Sequence, residues 1–271
     1  MGTAADHWAA QLAGWAIPDE IRAQAAADPW TLTPNLFPAP DCADAPPDTP
    51  AFRAALEALG DGGTVIDVGV GGGAASLPLA PPATLITGVD VSEEMLKAFT
   101  TAASERGIKT RHFAGRWPDN ARAVPPADVV VSNHAVYNVP DLAAFAVALT
   151  AHARRRVVVE MTGNHPVSIT SPLWKHFWDL DRPDGPTADD AIAVLREAGI
   201  EPEVVREVRE RSRPALHAHR VEFTTRRLCL PPERQPEVEE ALETLPEPTE
   251  REIVTLWWPG GVPEPTPDEE G

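Results

Sequence analysis

The run Val65-Ile66-Asp67-Val68-Gly69-Val70-Gly71-Gly72-Gly73-Ala74-Ala75 constrains this chain more than any other segment. It reads as a buried β-strand that ends in a glycine turn and passes into a helix. Glycines at alternate positions, Gly69, Gly71 and Gly73, let backbone N–H groups approach a ligand closely because no Cβ stands between. Asp67 sits two residues before the first of them. A second apolar strand ends about twenty residues later at Gly88-Val89-Asp90-Val91-Ser92, where a carboxylate can accept hydrogen bonds from both hydroxyls of a ribose. Together these features predict an α/β domain that binds a nucleoside-bearing cofactor.

The rest of the chain supports that class. Strands are expected at 64–69, 84–90, 109–114, 128–132, 156–161, 203–209 and 252–257. Helices are expected at 50–60, 92–106, 141–153 and 187–199, with Thr49 or Asp48, Ser92 and Thr187 placed as N-caps. Strands alternating with helices imply a mostly parallel sheet with helices on both faces. Two short helices broken at Pro18 occupy 4–27, and a proline-dense wrap follows over 28–50. The expected organisation is an N-terminal helical, proline-rich lid segment over 1–60 and a domain over 61–258 with inserts at 164–186 and 212–248. A disordered tail is expected over 259–271. The second insert holds two helices, 217–228 and 236–245, separated by Pro231-Pro232.

Bulk properties exclude several classes. With 43% hydrophobic residues the chain is globular, and its 271 residues suffice for one sizeable core. No apolar run approaches the roughly 20 residues that span a bilayer. Residues 1–15 do not read as a signal peptide, and two cysteines, Cys42 and Cys229, do not make a disulfide scaffold, so the expectation is a cytoplasmic protein. A net charge of −18 argues against nucleic acid and weakly favours a neutral or cationic substrate. The basic runs Arg154-Arg155-Arg156 and Arg226-Arg227 read as solvated faces. His217-x-His219 with Cys229 lacks a recognisable zinc spacing, so no metal is expected.

Gly69-x-Gly71-x-x-Ala74 also satisfies a dinucleotide pattern, which leaves an NAD(P)-dependent oxidoreductase open on the glycines alone. Asp67 inside the strand end, and Gly88-Val89-Asp90-Val91-Ser92-Glu93-Glu94-Met95-Leu96 after the second strand, separate the two readings. At these residues the chain resembles the class I S-adenosylmethionine-dependent methyltransferases, over about 64–162. The resemblance implies a Rossmann-like seven-stranded sheet whose last strand runs antiparallel, and S-adenosylmethionine as cofactor. It also implies methyl transfer to the oxygen or nitrogen of a small-molecule acceptor. A non-catalytic S-adenosylmethionine-binding protein is the other outcome it allows. Carried over, Gly69, Gly71 and Gly73 cradle the methionine part and Asp90 grips the ribose, flanked by Val91 and Met95. Asp67 orients the turn or meets the cofactor's ammonium through water.

One departure stands out. Many members place an acid after strand three for the adenine amine, and here the segment is Ala114-Gly115-Arg116-Trp117-Pro118-Asp119. Arg116 occupies the acid's place. Trp117 either stacks near adenine or packs in the core, and Asp119 is an alternative acid.

Strand four ends in Ser132-Asn133-His134-Ala135-Val136-Tyr137-Asn138, unlike the Asn-Pro-Pro-Tyr pattern of amide and nucleobase methylation. Asn133 is expected beside the cofactor. His134 is the candidate general base, because an imidazole titrates near neutral pH, and Tyr137 is a candidate orienting hydroxyl. Trp174, Phe177 and Trp178 could wall the acceptor site, or Leu173, Phe177 and Leu180 are a packing stripe. Residues around Trp30 to Phe37 could close over the opening.

Overall fold

The computed structural model describes residues 2–30, 46–210, 214–245 and 249–263, and for 214–219 the backbone alone. Seven strands form one sheet: β1 (Gly63–Val68), β2 (Ala83–Asp90), β3 (Thr110–Ala114), β4 (Ala127–Asn133), β5 (Ala153–Thr162), β6 (Glu203–Glu210) and β7 (Glu250–Pro259). Their order is β3-β2-β1-β4-β5-β7-β6. The first five run parallel, and β7 is antiparallel to both β5 and β6. The chain thus has the α/β architecture that the strand pattern predicts.

Alternation within the strands builds two cores. Val65, Ile86, Val129, Val131 and Val158 bury one face beneath α3 (Pro50–Leu59) and α4 (Glu93–Glu105). Ile66, Val130, Val157, Val159, Val254 and Leu256 bury the other beneath α5 (Leu142–Thr150) and α7 (Ala188–Glu197), with α1 (Ala4–Ala13) packed on α7. Covering both faces is what a parallel sheet requires, and it explains the continuous apolar runs. The caps are where the sequence places them: the Thr49, Ser92 and Thr187 hydroxyls accept from the amides of Phe52, Met95 and Asp190.

A third cluster forms a helical cap. It joins Ile17 and Ile21 of the α1–α2 segment (α2, Asp19–Arg22) to α6 (Ser171–Trp178), α8 (Pro214–Arg227) and α9 (Gln235–Thr244), around Leu173, Trp174, Leu228, Leu230 and Val238.

Four expectations are corrected. No α-helix follows the glycine turn; the link from β1 to β2 holds only a 3-10 turn at Leu77–Leu79. Pro78, Pro81 and Pro82 lack the N–H that a helix needs and clash with the preceding turn. The run Arg154-Arg155-Arg156, which lies inside β5, is not a free solvated face. Arg155 donates to the carbonyls of Ala58, Leu59 and Gly62, satisfying the C-terminal end of α3, and Arg156 bonds Ala54 O and Glu57. Arg227 is half-buried in the cap rather than on a solvated face. Finally, the tail does not fray at 259, because the amides of Gly260, Gly261 and Val262 donate to Arg155, Thr150 and Ala153; residues 264–271 lie outside the described residues.

Candidate active site

The glycine turn leaves β1 with φ of 79°, 51° and 87° at Gly69, Gly71 and Gly73. These values favour glycine, but the three positions differ in what surrounds them. A Cβ on Gly69 would lie 2.6 Å from that of Ala135, and one on Gly73 would meet Leu77 at 2.7 Å and Phe99 at 2.9 Å. Those two glycines are required by the protein's own packing. A Cβ on Gly71 would meet nothing within 4 Å, so this position faces open space.

Two carboxylates border the turn. Asp90 Oδ2 accepts from the Gly71 amide at 3.0 Å, and Oδ1 accepts from Ser92 N at 2.9 Å. A carboxylate oxygen offers two lone pairs, so each retains one. Asp67 is fully buried; its Oδ2 accepts from Ser76 Oγ at 2.6 Å and its Oδ1 has no partner. Burial pushes its carboxyl up to about 7 against the Ser76 hydrogen bond, and the charge of Asp90 adds to the rise.

The other cofactor-side candidates divide. Val91 is exposed beside Asp90, and Met95 is buried under the first turn of α4. Asn133 is half-buried at the end of β4, with Oδ1 inaccessible and unpartnered. Arg116 and Asp119 are exposed. Trp117 is taken up by the core: its indole donates to Phe145 O at 3.4 Å and its ring meets His152 edge-on at 4.8 Å. Sequence reasoning passed over Asn120. Both its amide atoms are buried without partners, and its Nδ2 lies 2.9 Å from where a Gly115 Cβ would sit.

β4 and β5 bring a polar network to the same end of the sheet. His134, at φ 56°, turns the chain out of β4, and its amide donates to Glu160 O at 2.7 Å. Its Nε2 lies 3.2 Å from Glu160 Oε1 and its Nδ1 3.2 Å from Tyr137 Oη. Tyr137 Oη is 2.9 Å from Thr162 Oγ1, which donates to Asn164 O. Arg209 reaches from β6 and holds both Glu160 oxygens, at 3.0 and 2.6 Å. Burial raises the Glu160 carboxyl, but the hydrogen bonds and charges of His134 and Arg209 outweigh it and hold it at about 2. Burial takes the Tyr137 phenol up to about 12. His165 packs edge-on to Tyr137 at 5.6 Å and stacks on Trp15 at 4.7 Å. Neither Glu160 nor His165 was singled out from sequence.

The aromatic residues of the first insert are not a free wall. Trp174 is buried in the cap, and Trp178 donates to Leu228 O. Phe177 packs on the same cluster beneath the Arg234 guanidinium. The packing-stripe alternative describes them. Cys229 is a buried free thiol in this cluster, while Cys42, residues 31–37 of the expected lid and the side chains of His217 and His219 lie outside the described residues. Among the described residues no helix is long and apolar enough to cross a membrane.

Comparisons with known proteins bear on the domain and the fold. A family model for a methyltransferase domain matches residues 65–155. Nocamycin O-methyltransferase from Saccharothrix syringae is 31% identical over 57% of this chain and 52% of its own length. Ubiquinone biosynthesis O-methyltransferase from Paramagnetospirillum magneticum is 32% identical over 35% of this chain and 37% of its own. The alignments thus span about half or less of the curated relatives. Among solved structures, a Bacillus halodurans protein provisionally named a methyltransferase superposes with a TM-score of 0.54 at 16% identity, over 78% of this chain and 97% of its own. That likeness establishes the shared fold. Residues 65–155 thus match a methyltransferase-domain family, and the seven-stranded sheet is the fold shared with that solved structure.

Proposed function

We propose that this protein transfers a methyl group from S-adenosylmethionine to a hydroxyl of a small-molecule acceptor, with His134 receiving the acceptor's proton. The carrying observation is the fixed position of His134 between Glu160 and Tyr137, beyond β4 and beside the glycine turn. Ligands in open α/β sheets bind beyond the strand C-termini.

The residues present fit the cofactor. Gly71 offers a cradle that any side chain would fill, Asp90 keeps lone pairs for ribose hydroxyls, and the partnerless oxygens of Asp67 and Asn133 await donors. Asn120 carries the donor and acceptor that an adenine edge needs, in the absence of the usual acid. Bound there, S-adenosylmethionine supplies an electrophilic methyl on a sulfonium, whose departure as a neutral thioether needs no acid.

What remains for the protein is alignment and one proton. Ionised Glu160 selects the tautomer with hydrogen on Nε2, leaving Nδ1 to accept. The contacts Nε2–Glu160, Nδ1–Tyr137, Tyr137–Thr162 and Thr162–Asn164 are four, and neutral His134, Tyr137 and Thr162 bring three hydrogens. A proton gained by His134 completes the set. The acceptor's proton is therefore taken at Nδ1 while the Tyr137 hydroxyl gives its own hydrogen to Thr162 Oγ1, so that Tyr137 Oη accepts from the new Nδ1–H. Arg209 keeps Glu160 ionised and in place.

The O-methyltransferase names of the two curated relatives support oxygen over nitrogen. Calorimetry with S-adenosylmethionine is the first test; absence of binding at millimolar cofactor would end the proposal. Methyl transfer to hydroxylated and amine acceptors, followed by mass spectrometry, then separates oxygen from nitrogen.

A further inference from the structure

The cap holds two guanidiniums that nothing above uses. Arg182 lies 4.0 Å over Trp174 and 5.7 Å from Trp15, and donates from one terminal nitrogen to Ala16 O at 2.9 Å and Gly14 O at 3.4 Å. Arg227 lies 4.2 Å over Trp30 and 5.6 Å from Phe223, and donates to Pro29 O at 3.0 Å. The Nε–H of each is buried with no acceptor. Among the described residues neither has a carboxylate within ion-pair distance, although acids outnumber lysine and arginine 41 to 23 in this chain. Among the described residues the charge of Asp28 reaches Arg227, and Asp28 accepts from Trp30 N. Burial, then the charge of the neighbouring Arg226, brings Arg227 down to about 10, and the two guanidiniums are close enough for the charge of Arg182 to add to that fall.

Two half-buried like charges with no counter-ion among the described residues cost free energy. Their carbonyl and aromatic contacts explain how the α1–α2 segment is tied to the cap. Those contacts do not neutralise the charge or use the remaining donors, since a guanidinium has five N–H groups. The position of the pair relates it to the site. Trp15, 5.7 Å from Arg182, stacks on His165; His165 meets Tyr137 edge-on; and Tyr137 bonds His134. The charge of Arg227 also reaches His165. The pair therefore stands on the β5–cap side of His134, away from the β1–β2 side that holds Asp90.

Resting on the methyl-transfer reading, we infer that the acceptor is an anion, a hydroxylated carboxylic acid whose carboxylate is held by Arg182 and Arg227 while its hydroxyl reaches His134. This departs from the expectation of a neutral or cationic substrate drawn from net charge. Local buried cations decide recognition at a site, whereas net charge governs the distant field. Arg fits the role because its planar fork pairs with both oxygens of a carboxylate.

The test titrates 4-hydroxybenzoate, 4-hydroxyphenylacetate and 4-hydroxycinnamate, each beside its amide, into protein with and without S-adenosylhomocysteine. Binding is followed by calorimetry and by the fluorescence of the flanking tryptophans. The expected result is that at least one acid binds tenfold or more tighter than its amide. Arg227→Gln should erase that preference, Arg227→Lys should retain part of it, and S-adenosylhomocysteine affinity should stay within twofold. Arg182→Gln should do the same, with circular dichroism showing whether the cap stays folded; Arg227→Gln, which loses a single carbonyl bond, keeps the test decisive if it does not. Equal affinity for acid and amide, or binding of neither, overturns the inference. So does a loss of cofactor affinity in the arginine variants, which would give the pair to the cofactor's own carboxylate. Acid preference in a protein that binds no cofactor would instead overturn the methyl-transfer reading and leave the anion site standing.

Discussion

The Gly71 amide donates to Asp90 Oδ2, so the two sequence signals for a nucleoside cofactor are one hydrogen-bonded unit. The acid that ends β2 sets the position of the open turn beyond β1 before any ribose arrives. Replacing Asp90 with Ala should therefore act twice, by leaving ribose hydroxyls unpaired and by releasing the turn. We expect S-adenosylmethionine affinity to fall by about 1–3 kcal/mol, as for lost hydrogen bonds to a charged group. Hydrogen exchange at residues 69–73 should quicken in the same variant. Calorimetry giving an unchanged Kd would remove Asp90 from the site.

The three glycines of the turn should not respond alike. Gly71→Val places its side chain in open space, so thermal stability should drop only by the cost of a β-branched residue at positive φ, about 1–3 kcal/mol. Cofactor binding should nonetheless be abolished. Gly69→Val, set against Ala135 at 2.6 Å, should lower stability more by forcing β4 away from the turn. Paired melting and binding curves check this, and equal behaviour of the two variants would show that the open space at Gly71 does not hold the ligand.

Asp67 makes a prediction about pH. Its folded carboxyl titrates at about 7 against an ordinary 3.8, so between those values the folded state holds a proton that the unfolded state has lost. Stability then falls as pH rises through this window, at about 1.4 kcal/mol per pH unit for this one group. Asp67→Asn cannot ionise, so its stability relative to wild type should improve steadily from pH 4 to pH 7 and level off above. Denaturant melts at pH 5 and pH 8 give the double difference. A constant offset between the two proteins across that range would contradict the burial of an ionising group here.

Much of this was legible in the sequence, and the failures have physical causes. The strands showed themselves because a sheet covered on both faces needs unbroken Val and Ile runs, as in Val129-Val130-Val131 and Val157-Val158-Val159. The helix expected after Gly73 does not form because Pro78, Pro81 and Pro82 cannot donate the hydrogen bonds that would extend it. Trp174 and Trp178 read as a wall because an aromatic-rich insert looks the same whether it lines a site or fills a cap core. His134 and Tyr137 could be nominated from their place after β4. Glu160 was not, since one acid inside the apolar run of β5 gives no sign that His134 and Arg209 converge on it from other elements.

That convergence gives the last prediction. Glu160 is held at about 2 rather than 4.5, so it contributes stability that is fully present above pH 4.5 and lost as pH falls through 2. Glu160→Gln forfeits the contribution, roughly 3 kcal/mol at neutral pH, and leaves the Arg209 guanidinium with Glu207 as its remaining charge partner. If Glu160 positions His134 as proton acceptor, the variant should also lower kcat by about 100-fold while leaving the KM for S-adenosylmethionine within a few-fold. His134→Gln should lower kcat by at least as much without the loss of stability, since a half-exposed imidazole anchors less of the fold than the buried carboxylate. A purely structural Glu160 would give the opposite split, with melting temperature reduced and the pH–rate profile of the surviving folded enzyme unmoved. Measuring kcat from pH 5 to pH 9 on both variants, below their melting temperatures, decides between the two: a basic limb that persists unchanged in His134→Gln would take the proton-accepting role away from this histidine.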